Sequence, residues 1–179
     1  MFRKILIALA IILLLLVVVI TRRPSDFRYT RSLAIAAPAA AVFAEVNDLH
    51  KWEAWSPWAK IDPAMKMTYE GATVGVRSSY SWSGNNEVGE GRSTIVESRP
   101  SDLIRMKLEF KRPFAGTNDV EFSFKPEGAQ TVVTWTMTGK SNFMGKAVGL
   151  VIDCEKMCGG QFEQGLAGLK SVVEGVPKS

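Results

Sequence analysis

The chain has 179 residues, of which 46% are hydrophobic, so it is long enough for one domain with a substantial core plus a short appendage, and too short for two ordinary domains. Its formal net charge is +4, but four basic residues, Arg3, Lys4, Arg22 and Arg23, flank one apolar run, and no acidic residue precedes Asp26. Without these four, 18 basic residues face 18 acidic ones. This balance argues against a nucleic-acid-binding surface, which needs concentrated positive charge.

The first predicted element is an apolar run, residues 5–20, that contains no charged residue, proline or glycine. With Met1 and Phe2 it approaches the roughly 17 to 25 residues that cross a bilayer as a helix. A cleaved signal peptide shares this pattern, but it needs small residues at the cleavage junction, and here a threonine, two arginines and a proline follow the run. We therefore expect residues 1–23 to stay attached as a transmembrane anchor and residues 24–179 to form one domain.

The sequence determines the orientation of this anchor only weakly. Basic residues lie on both sides of it, so the difference in positive charge that the positive-inside rule uses is small. The pair Arg3 and Lys4 directly precedes the run, and a run so close to the start of a chain inserts readily with its short N-terminus inside. We expect a single-pass membrane protein whose domain lies on the outer side, periplasmic or extracellular.

A linker, a strand and a helix follow the anchor. Residues 22–26 are basic and polar with one proline, which is typical of a short linker. Residues 27–37 have strand character, and Pro38 then opens a helical stretch whose apolar residues have helical spacing: Val42, Phe43 and Val46. The tryptophan-rich residues 49–65 are predicted to be short helix and loop.

From residue 67 to residue 140 the apolar residues recur with a period of two, which predicts strands with one apolar face. The positions assigned to that face are Val76, Ser78, Tyr80, Trp82, Ile104, Met106, Leu108, Phe110, Val120, Phe122, Phe124, Val133, Trp135 and Met137. Turn signals separate the runs at residues 83–86, 99–102, 112–117 and 126–129. Such short connections predict a meander of antiparallel strands. We call its apolar face, which carries the positions above and is shielded from water, the dry face.

The C-terminal stretch returns to helical spacing and supplies a helix to cover the dry face. Its apolar stripe is Phe143, Ala147, Leu150, Cys154, Met157, Phe162, Leu166, Leu169 and Val173. Gly159 and Gly160 interrupt the stripe, so we expect a bend or break there.

The two cysteines, Cys154 and Cys158, are four residues apart and share one face of this helix. We interpret them as small apolar thiols of the core or a cavity, because a zinc site needs further ligands and the single histidine, His50, is remote in sequence. No metal and no cofactor is expected.

Several short motifs accompany this order of elements: Ile35-Ala36-Ala37-Pro38, Asn47-Asp48-Leu49, Trp52, Trp55-Ser56-Pro57-Trp58, Tyr69-Glu70-Gly71, Tyr80-Ser81-Trp82, Gly89-Glu90-Gly91 and Trp135-Thr136-Met137-Thr138-Gly139. Together they resemble the polyketide cyclase/dehydrase (SRPBCC) branch of the START and birch-pollen-allergen-like superfamily, over nearly all of Phe27 to Gly175. The resemblance implies an α+β helix-grip fold, in which a curved antiparallel sheet wraps around a long C-terminal helix. It also implies a cavity between sheet and helix that accepts hydrophobic ligands; here one transmembrane helix precedes the fold.

The candidate ligand-binding residues are the large side chains of the tryptophan-rich segment, the dry face and the C-terminal helix. They are Trp52, Trp55, Trp58, Tyr80, Trp82, Met106, Phe110, Phe122, Phe124, Trp135, Leu150, Cys154, Met157 and Phe162. The three tryptophans of residues 52–58 are three residues apart and lie along one side of a helical turn, as a cavity wall or as plain core. The polar atoms of Tyr80 and Trp82 either orient a bound polar group or make structural hydrogen bonds.

Two pairs of titratable residues are candidates for a chemical role. Glu90 and Arg92 share a strand face with Val88, so they either point inward, where they would bind a polar group or transfer protons, or form a rim salt bridge. His50 lies near Asp48, but neighbours so close in sequence seldom face each other as a catalytic pair does. No nucleophile elbow, zinc-protease, phosphate-loop or dinucleotide motif occurs, so no catalytic residue is assigned.

The leading functional hypothesis is a membrane-anchored binding protein for a hydrophobic small molecule or lipid, because the dry face is rich in aromatic and methionine side chains. A cyclase- or hydrolase-like enzyme acting on such a ligand and an envelope scaffold protein are the alternatives. The membrane is contacted through residues 5–20, and no protein partner is identified.

Overall fold

The computed structural model of the protein describes residues 2–175; residue 1 and residues 176–179, the outer ends of the expected anchor and domain, lie outside the described residues. The chain begins with one helix, α1 (Phe2–Arg22), that is long and apolar enough to cross a membrane. Its 21 residues span about 31 Å at 1.5 Å per residue, which matches a hydrocarbon core about 30 Å thick. Only Ile20 of this helix is buried against the rest of the protein.

A curved, seven-stranded antiparallel sheet follows, with strand order β1-β7-β6-β5-β4-β3-β2. The strands are β1 (Asp26–Ile35), β2 (Lys66–Gly71), β3 (Ser78–Ser83), β4 (Glu90–Arg99), β5 (Leu103–Arg112), β6 (Gly116–Glu127) and β7 (Gln130–Lys140). Strands β2 to β7 form the predicted six-strand meander, since each pairs with the next in the chain. The first strand pairs along its whole length with the last, from Asp26 opposite Lys140 to Ile35 opposite Thr131.

The helices lie before the meander and after it. They are α2 (Ala39–Asn47), a 3₁₀ helix (Leu49–Ala54), α3 (Trp58–Ile61), α4 (Phe143–Val148) and α5 (Cys154–Val173). As expected, Pro38 precedes α2, at a φ of −62° that suits the entry to a helix. The long helix α5 packs along β1 and against the concave side of the sheet. The predicted helix-grip fold is therefore confirmed.

The break in the C-terminal helical stretch lies at residues 149–153, between α4 and α5, and the prediction of a break at Gly159 and Gly160 is wrong. The side chain of Asp153 accepts a hydrogen bond from the backbone N–H of Lys156, which caps a new helix at this point. Gly159 instead allows α5 and the Arg31 side chain of β1 to approach each other closely, because a Cβ at this position would overlap the Arg31 guanidinium. That guanidinium is held by two carboxylates of α5, Glu155 and Glu163.

The core lies between the sheet and the helices, and large apolar side chains supply it. The side chains with less than 2% exposure include Ile35, Val42, Val46, Leu49, Ile95, Ile104, Met106, Phe122, Val133, Leu166 and Leu169. Burying such a side chain contributes about 1.5–3 kcal/mol relative to leaving it in water. The concave face is therefore held against α2 at one end and against the second half of α5 along its length.

Candidate ligand-binding cavity

A cavity of about 160 Å³ remains between the concave face of the sheet, the tryptophan-rich segment and α5. Its walls are mainly aromatic, aliphatic and sulfur-containing side chains. The lining residues are Trp52, Glu53, Ser56, Trp58, Ala59, Met65, Met67, Tyr80, Trp82, Val88, Ser93, Met106, Leu108, Phe110, Val120, Trp135, Met137, Cys158 and Phe162. Concave, mainly apolar spaces with a few polar groups are typical of small-molecule sites.

One wall is the 3₁₀ helix, which is fixed by its own capping and by the indole of Trp52. The side chain of Asp48 accepts the backbone N–H of His50 at 3.0 Å and so caps this helix. The indole N–H of Trp52 donates to the carbonyl of Val46 at 2.9 Å. Its ring contacts Trp55, with 4.6 Å between centroids, so the rings of this segment support one another.

The opposite wall is the face of α5 that carries Cys158 and Phe162. Phe162 stacks on Trp135 of β7, with ring centroids 4.4 Å apart and planes only 7° apart. Gly165 allows this approach, because a Cβ there would lie 2.7 Å from the Trp135 ring. One turn before Phe162, burial raises the pKa of the Cys158 thiol to about 11, so this group stays neutral near pH 7.

Two neighbouring strands bring hydroxyl-bearing side chains to the floor of the cavity. Tyr80 on β3 is paired in register with Ser93 on β4, and both line the cavity. Within residues 2–175, neither hydroxyl makes a hydrogen bond to another residue. Burial raises the pKa of Tyr80 well above its ordinary value, so the phenol is neutral and both donates and accepts. The cavity therefore offers hydrogen-bonding capacity that the protein itself does not use.

Glu53 is the one charged residue among the lining residues of the described chain, and it is exposed at the mouth. The hydroxyl of Tyr69 donates to its Oε1 at 3.2 Å, and burial together with the charge of Glu53 raises the pKa of Tyr69 to about 12. His50 stacks on the Tyr69 ring at 4.1 Å, with its Nδ1 3.2 Å from Asp48 Oδ1. His50 and Asp48 thus do meet, but outside the cavity, on the protein surface.

Eight of the fourteen candidate residues line this cavity: Trp52, Trp58, Tyr80, Trp82, Met106, Phe110, Trp135 and Phe162. Three others, Trp55, Phe122 and Phe124, are buried in the core behind these walls. The structure thus brings together the candidates from the sheet and from the tryptophan-rich segment, with one residue of α5.

The assignment of Leu150, Cys154 and Met157 to the cavity is wrong. Leu150 precedes α5 in the connection after α4, and Met157 is 56% exposed because it faces away from the sheet. Cys154 lies at the start of α5, one turn short of the cavity, in a surface cleft beside Tyr29. Only Leu150 is displaced by the helix break, because Cys154 and Met157 belong to the same helix as Phe162. Met157 precedes Phe162 by five residues, which places it about 140° away around the helix.

The alternative that the side chains of Glu90 and Arg92 point into the interior is also excluded. On β4 the buried side is formed by Gly91, Ser93 and Ile95, so Glu90 and Arg92 point to the outer face. They do not pair with each other. Glu90 contacts Lys111 and Arg112, which hold the pKa of its carboxyl below the ordinary value, with the hydrogen bond from Arg112 the main cause. Arg92 contacts Glu70 at 2.8 Å.

Sequence reasoning missed eleven lining residues, and strand parity would have found several of them. Leu108, Val120 and Met137 are in the strand positions already assigned to the dry face, and Ser93 follows from the correct parity of β4. For Cys158 the sequence leaves a core and a cavity position open. The others lie on helices, loops or strand ends and carry no such signal: Glu53, Ser56, Ala59, Met65, Met67 and Val88. Within residues 2–175, no three histidine, cysteine or acidic side chains are grouped as metal ligands.

The fold is similar to solved structures of low sequence identity. A solution structure from Thermobifida fusca has a TM-score of 0.63 at 23% identity and covers 83% of this chain and 94% of its own. A crystal structure from Thermus thermophilus has a TM-score of 0.60 at 21% identity, covering 85% of this chain and 100% of its own. A crystal structure from Chromobacterium violaceum has a TM-score of 0.60 at 16% identity, covering 87% and 100%.

At the sequence level, residues 26–174 match the family model described as polyketide cyclase/dehydrase and lipid transport. That range runs from the start of β1 to the residue after α5, and so leaves out α1. No curated protein matches the chain significantly.

Proposed function

Because the chain belongs to the polyketide cyclase/dehydrase and lipid transport family, we propose that it is a membrane-anchored binding protein that holds a hydrophobic small molecule between the sheet and α5. The observation that carries this proposal is the apolar cavity with two unpartnered hydroxyl groups on its floor. A protein core is normally close-packed, and its buried polar groups are normally hydrogen-bonded. A ligand that fills this space accounts for the departure from close packing, and it can also form hydrogen bonds with the two hydroxyls, which line the cavity without being fully buried.

The volume of the cavity suggests the size of the group that enters it. At about 160 Å³ it is close to the engineered cavity of about 150 Å³ in another protein that takes up benzene. A single ring, or the end of a longer apolar chain, fits this space, whereas a whole lipid does not. The rest of a larger ligand would extend out of the cavity, past Glu53 and Met67 at its mouth.

The Tyr80 and Ser93 hydroxyls suggest the chemistry of the ligand. A carbonyl or hydroxyl group on an otherwise apolar molecule would bind to one or both of them. Such a hydrogen bond contributes a net free energy of about 0.5–1.5 kcal/mol. The proposed ligand is therefore apolar with one uncharged polar group.

The interior favours binding over proton-transfer chemistry. Tyr80 and Cys158 are both held neutral by burial, and the one charged lining residue, Glu53, is at the mouth and accepts a hydrogen bond from Tyr69. Glu90, the acid that an enzyme reading relied on, faces outward. General acid–base catalysis needs a titrating group within hydrogen-bond reach of the substrate.

The proposed anchor is α1 with its flanks, residues 1–23, and the proposed binding domain is residues 24–179. The length of α1, its apolar sequence and the exposure of nearly all its side chains support this division. We place the domain on the outer side, by the charge argument from Arg3 and Lys4. Resistance to alkaline carbonate extraction would test the anchor, and protease protection of the domain in sealed, right-side-out cells would contradict its placement outside.

The binding proposal is tested by identifying what co-purifies with the full-length chain in mild detergent, by native mass spectrometry and by analysis of the extracted small molecules. The matched variants are Ser93→Leu, which fills the cavity, and Ser81→Leu, which adds the same side chain on the outer face of β3. We expect Ser93→Leu to fold normally and to lose the apolar ligand, because an open cavity accepts added volume. Ser81→Leu should retain it.

Two results would contradict the proposal. If the cavity is not open to a ligand, Ser93→Leu will be destabilised by the about 1–3 kcal/mol that overpacking typically costs. If it folds and carries the same compound as the wild type, the compound binds elsewhere. Recovery of a chemically altered compound only from the wild type would favour the enzyme alternative.

A further inference from the structure

Exposed apolar side chains are concentrated in α4, in the connection to α5 and in the first turn of α5. We call this surface the α4–α5 patch: Phe143, Met144, Leu150, Val151, Ile152 and Met157. Val151 has 86% of its surface exposed, the largest value among the large apolar residues described. Contiguous exposed apolar surfaces on a folded domain mark sites of contact with a protein or a membrane.

This patch lies directly beside the end of α1. The guanidinium of Arg23 donates to the carbonyl of Gly149 at 2.6 Å, and the ammonium of Lys146 donates to the carbonyl of Thr21 at 3.4 Å. Ile20 is only 5% exposed because it is covered by the domain. The patch is thus continuous with the surface of the helix proposed to cross the membrane.

The short connection keeps the domain at the same level as the helix end. Three residues, 23–25, separate α1 from β1, and they reach at most about 11 Å when fully extended. The backbone N–H of Ser141, just before α4, donates to the carbonyl of Ser25 at 2.8 Å, which holds the connection against the domain. Since α1 is about as long as the hydrocarbon core is thick, Arg22 at its end lies at the membrane interface.

We propose that the α4–α5 patch inserts into the interface of the bilayer that α1 crosses, as a second membrane contact that fixes the orientation of the binding domain. This proposal rests on the membrane anchor proposed above. Amphipathic surfaces of this kind bury their apolar side chains about 5–10 Å into the boundary between headgroups and acyl chains. The basic side chains of Arg23 and Lys146 lie beside the patch, where lipid phosphates would face them.

The bilayer is favoured over a protein as the occupant because of this continuity. A protein bound to the patch would have to fit between the domain and the membrane surface, within the reach of a three-residue connection. Lipids are already present at that level around α1. Val74 has no such continuity with α1. It is an exposed valine in the β2–β3 turn, at the opposite edge of the sheet from the start of β1.

The test uses the full chain in vesicles of phosphatidylcholine with a minor fraction of phosphatidylglycerol, in which some phosphatidylcholine carries bromine near the headgroup. A polarity-sensitive fluorophore is attached at Val151→Cys or, as a second site, Met144→Cys. Val74→Cys is the control, since Val74 is 50% exposed, close to the 49% of Met144. All variants carry Cys154→Ala, and the chain with Cys154→Ala alone gives the labelling of Cys158. Alkaline carbonate extraction of each preparation reports the anchor separately.

We expect blue-shifted emission and loss of most of the fluorescence with brominated lipid at both patch sites, and no change at Val74. A chain that resists carbonate extraction but shows no quenching at the patch overturns the patch proposal and leaves the anchor intact. Equal quenching at all three sites also overturns it, because the domain then has no fixed orientation. Extraction of the chain by carbonate overturns the anchor, and this proposal with it. Patch labels that are unquenched in vesicles but shielded from aqueous reagents in native membranes show a protein occupant instead.

Discussion

The close approach of α5 to the tryptophan-rich segment makes opposite predictions for two glycines of the same helix. A Cβ on Gly168 would lie 2.6 Å from the backbone carbonyl oxygen of Trp55, about 0.8 Å short of ordinary contact at 3.4 Å. A Cβ on Gly160 would meet nothing within 4 Å. The backbone of Trp55 cannot move aside as the end of a flexible side chain can. Gly168→Ala must therefore push α5 away from the tryptophan-rich segment.

The magnitudes follow from two opposing effects. Replacing a helical glycine by alanine raises the free energy of unfolding by up to about 1 kcal/mol, because alanine has fewer backbone conformations than glycine in the unfolded chain and is the better helix former. Gly160→Ala should show this gain in full. At Gly168 an overpacking cost of about 1–3 kcal/mol opposes it, which leaves a net loss of up to about 2 kcal/mol. The two variants should therefore differ by about 1–3 kcal/mol, or about 3–9 °C in Tm for a domain of this size.

Urea denaturation of the full chain in detergent, followed by tryptophan fluorescence, measures this difference, since Trp52, Trp55 and Trp135 are all buried in the affected region. Gly160→Ala is the matched control, with the same chemical change in the same helix. If Gly168→Ala is as stable as Gly160→Ala, α5 does not contact the Trp55 carbonyl as described, and the wall of the cavity formed by this helix is misplaced.

Three further predictions concern single groups. Tyr80→Phe should fold like the wild type, because the hydroxyl has no partner in the described chain, and should bind the co-purifying ligand about fivefold more weakly, as measured by titration calorimetry; unchanged affinity would remove Tyr80 from the site. Cys158, in a Cys154→Ala chain, should be alkylated slowly at pH 8 and progressively faster up to about pH 11, because burial raises its thiol pKa; rapid alkylation at pH 8 would show an exposed thiol. The pKa of the Glu174 carboxyl is lowered, chiefly because the backbone N–H of Ala36 donates a hydrogen bond to it, so its contribution to stability is complete above the ordinary pKa of 4.5 and is lost as the pH falls below that value. The stability of Glu174→Gln, measured by denaturation, should therefore depend less on pH between about pH 5 and about pH 3 than that of the wild type. An identical pH dependence would contradict the contact.

The sheet and its dry face were predictable because strand parity is a strict rule. With Trp82 and Met106 on the dry face, every second residue of β3 and β5 follows on the same side, and the structure has Tyr80, Leu108 and Phe110 beside them in the lining of the cavity. The sequence leaves the parity of β4 open, because its inward residues, Gly91 and Ser93, are small, while Val96 on the outer face is apolar. In this strand a hydrophobicity pattern does not identify the buried side.

The helical part of the site was less predictable, because a helical stripe carries no information about where one helix ends and the next begins. The caps supplied by Asn142 and Asp153 divide the C-terminal stretch, and both side chains were visible in the sequence. The glycines were a misleading signal, since Gly159 accommodates the Arg31 guanidinium from another element. Contacts between remote elements determine such positions, and one sequence does not reveal them.

The pairing of β1 with β7 also determines the order in which the sheet is completed during synthesis. Each residue of β1 pairs with a residue 96 to 114 positions later, whereas each of the strands β2 to β6 pairs with the next strand in the chain. At about 5–20 residues per second, β1 therefore leaves the ribosome about 5–20 s before its partner. During that time the strand, with its backbone N–H and C=O groups unpaired, is attached three residues from the hydrophobic helix α1, and an unpaired edge of this kind is a site for aggregation. The nascent chain should therefore need protection at residues 26–35 until β7 has emerged.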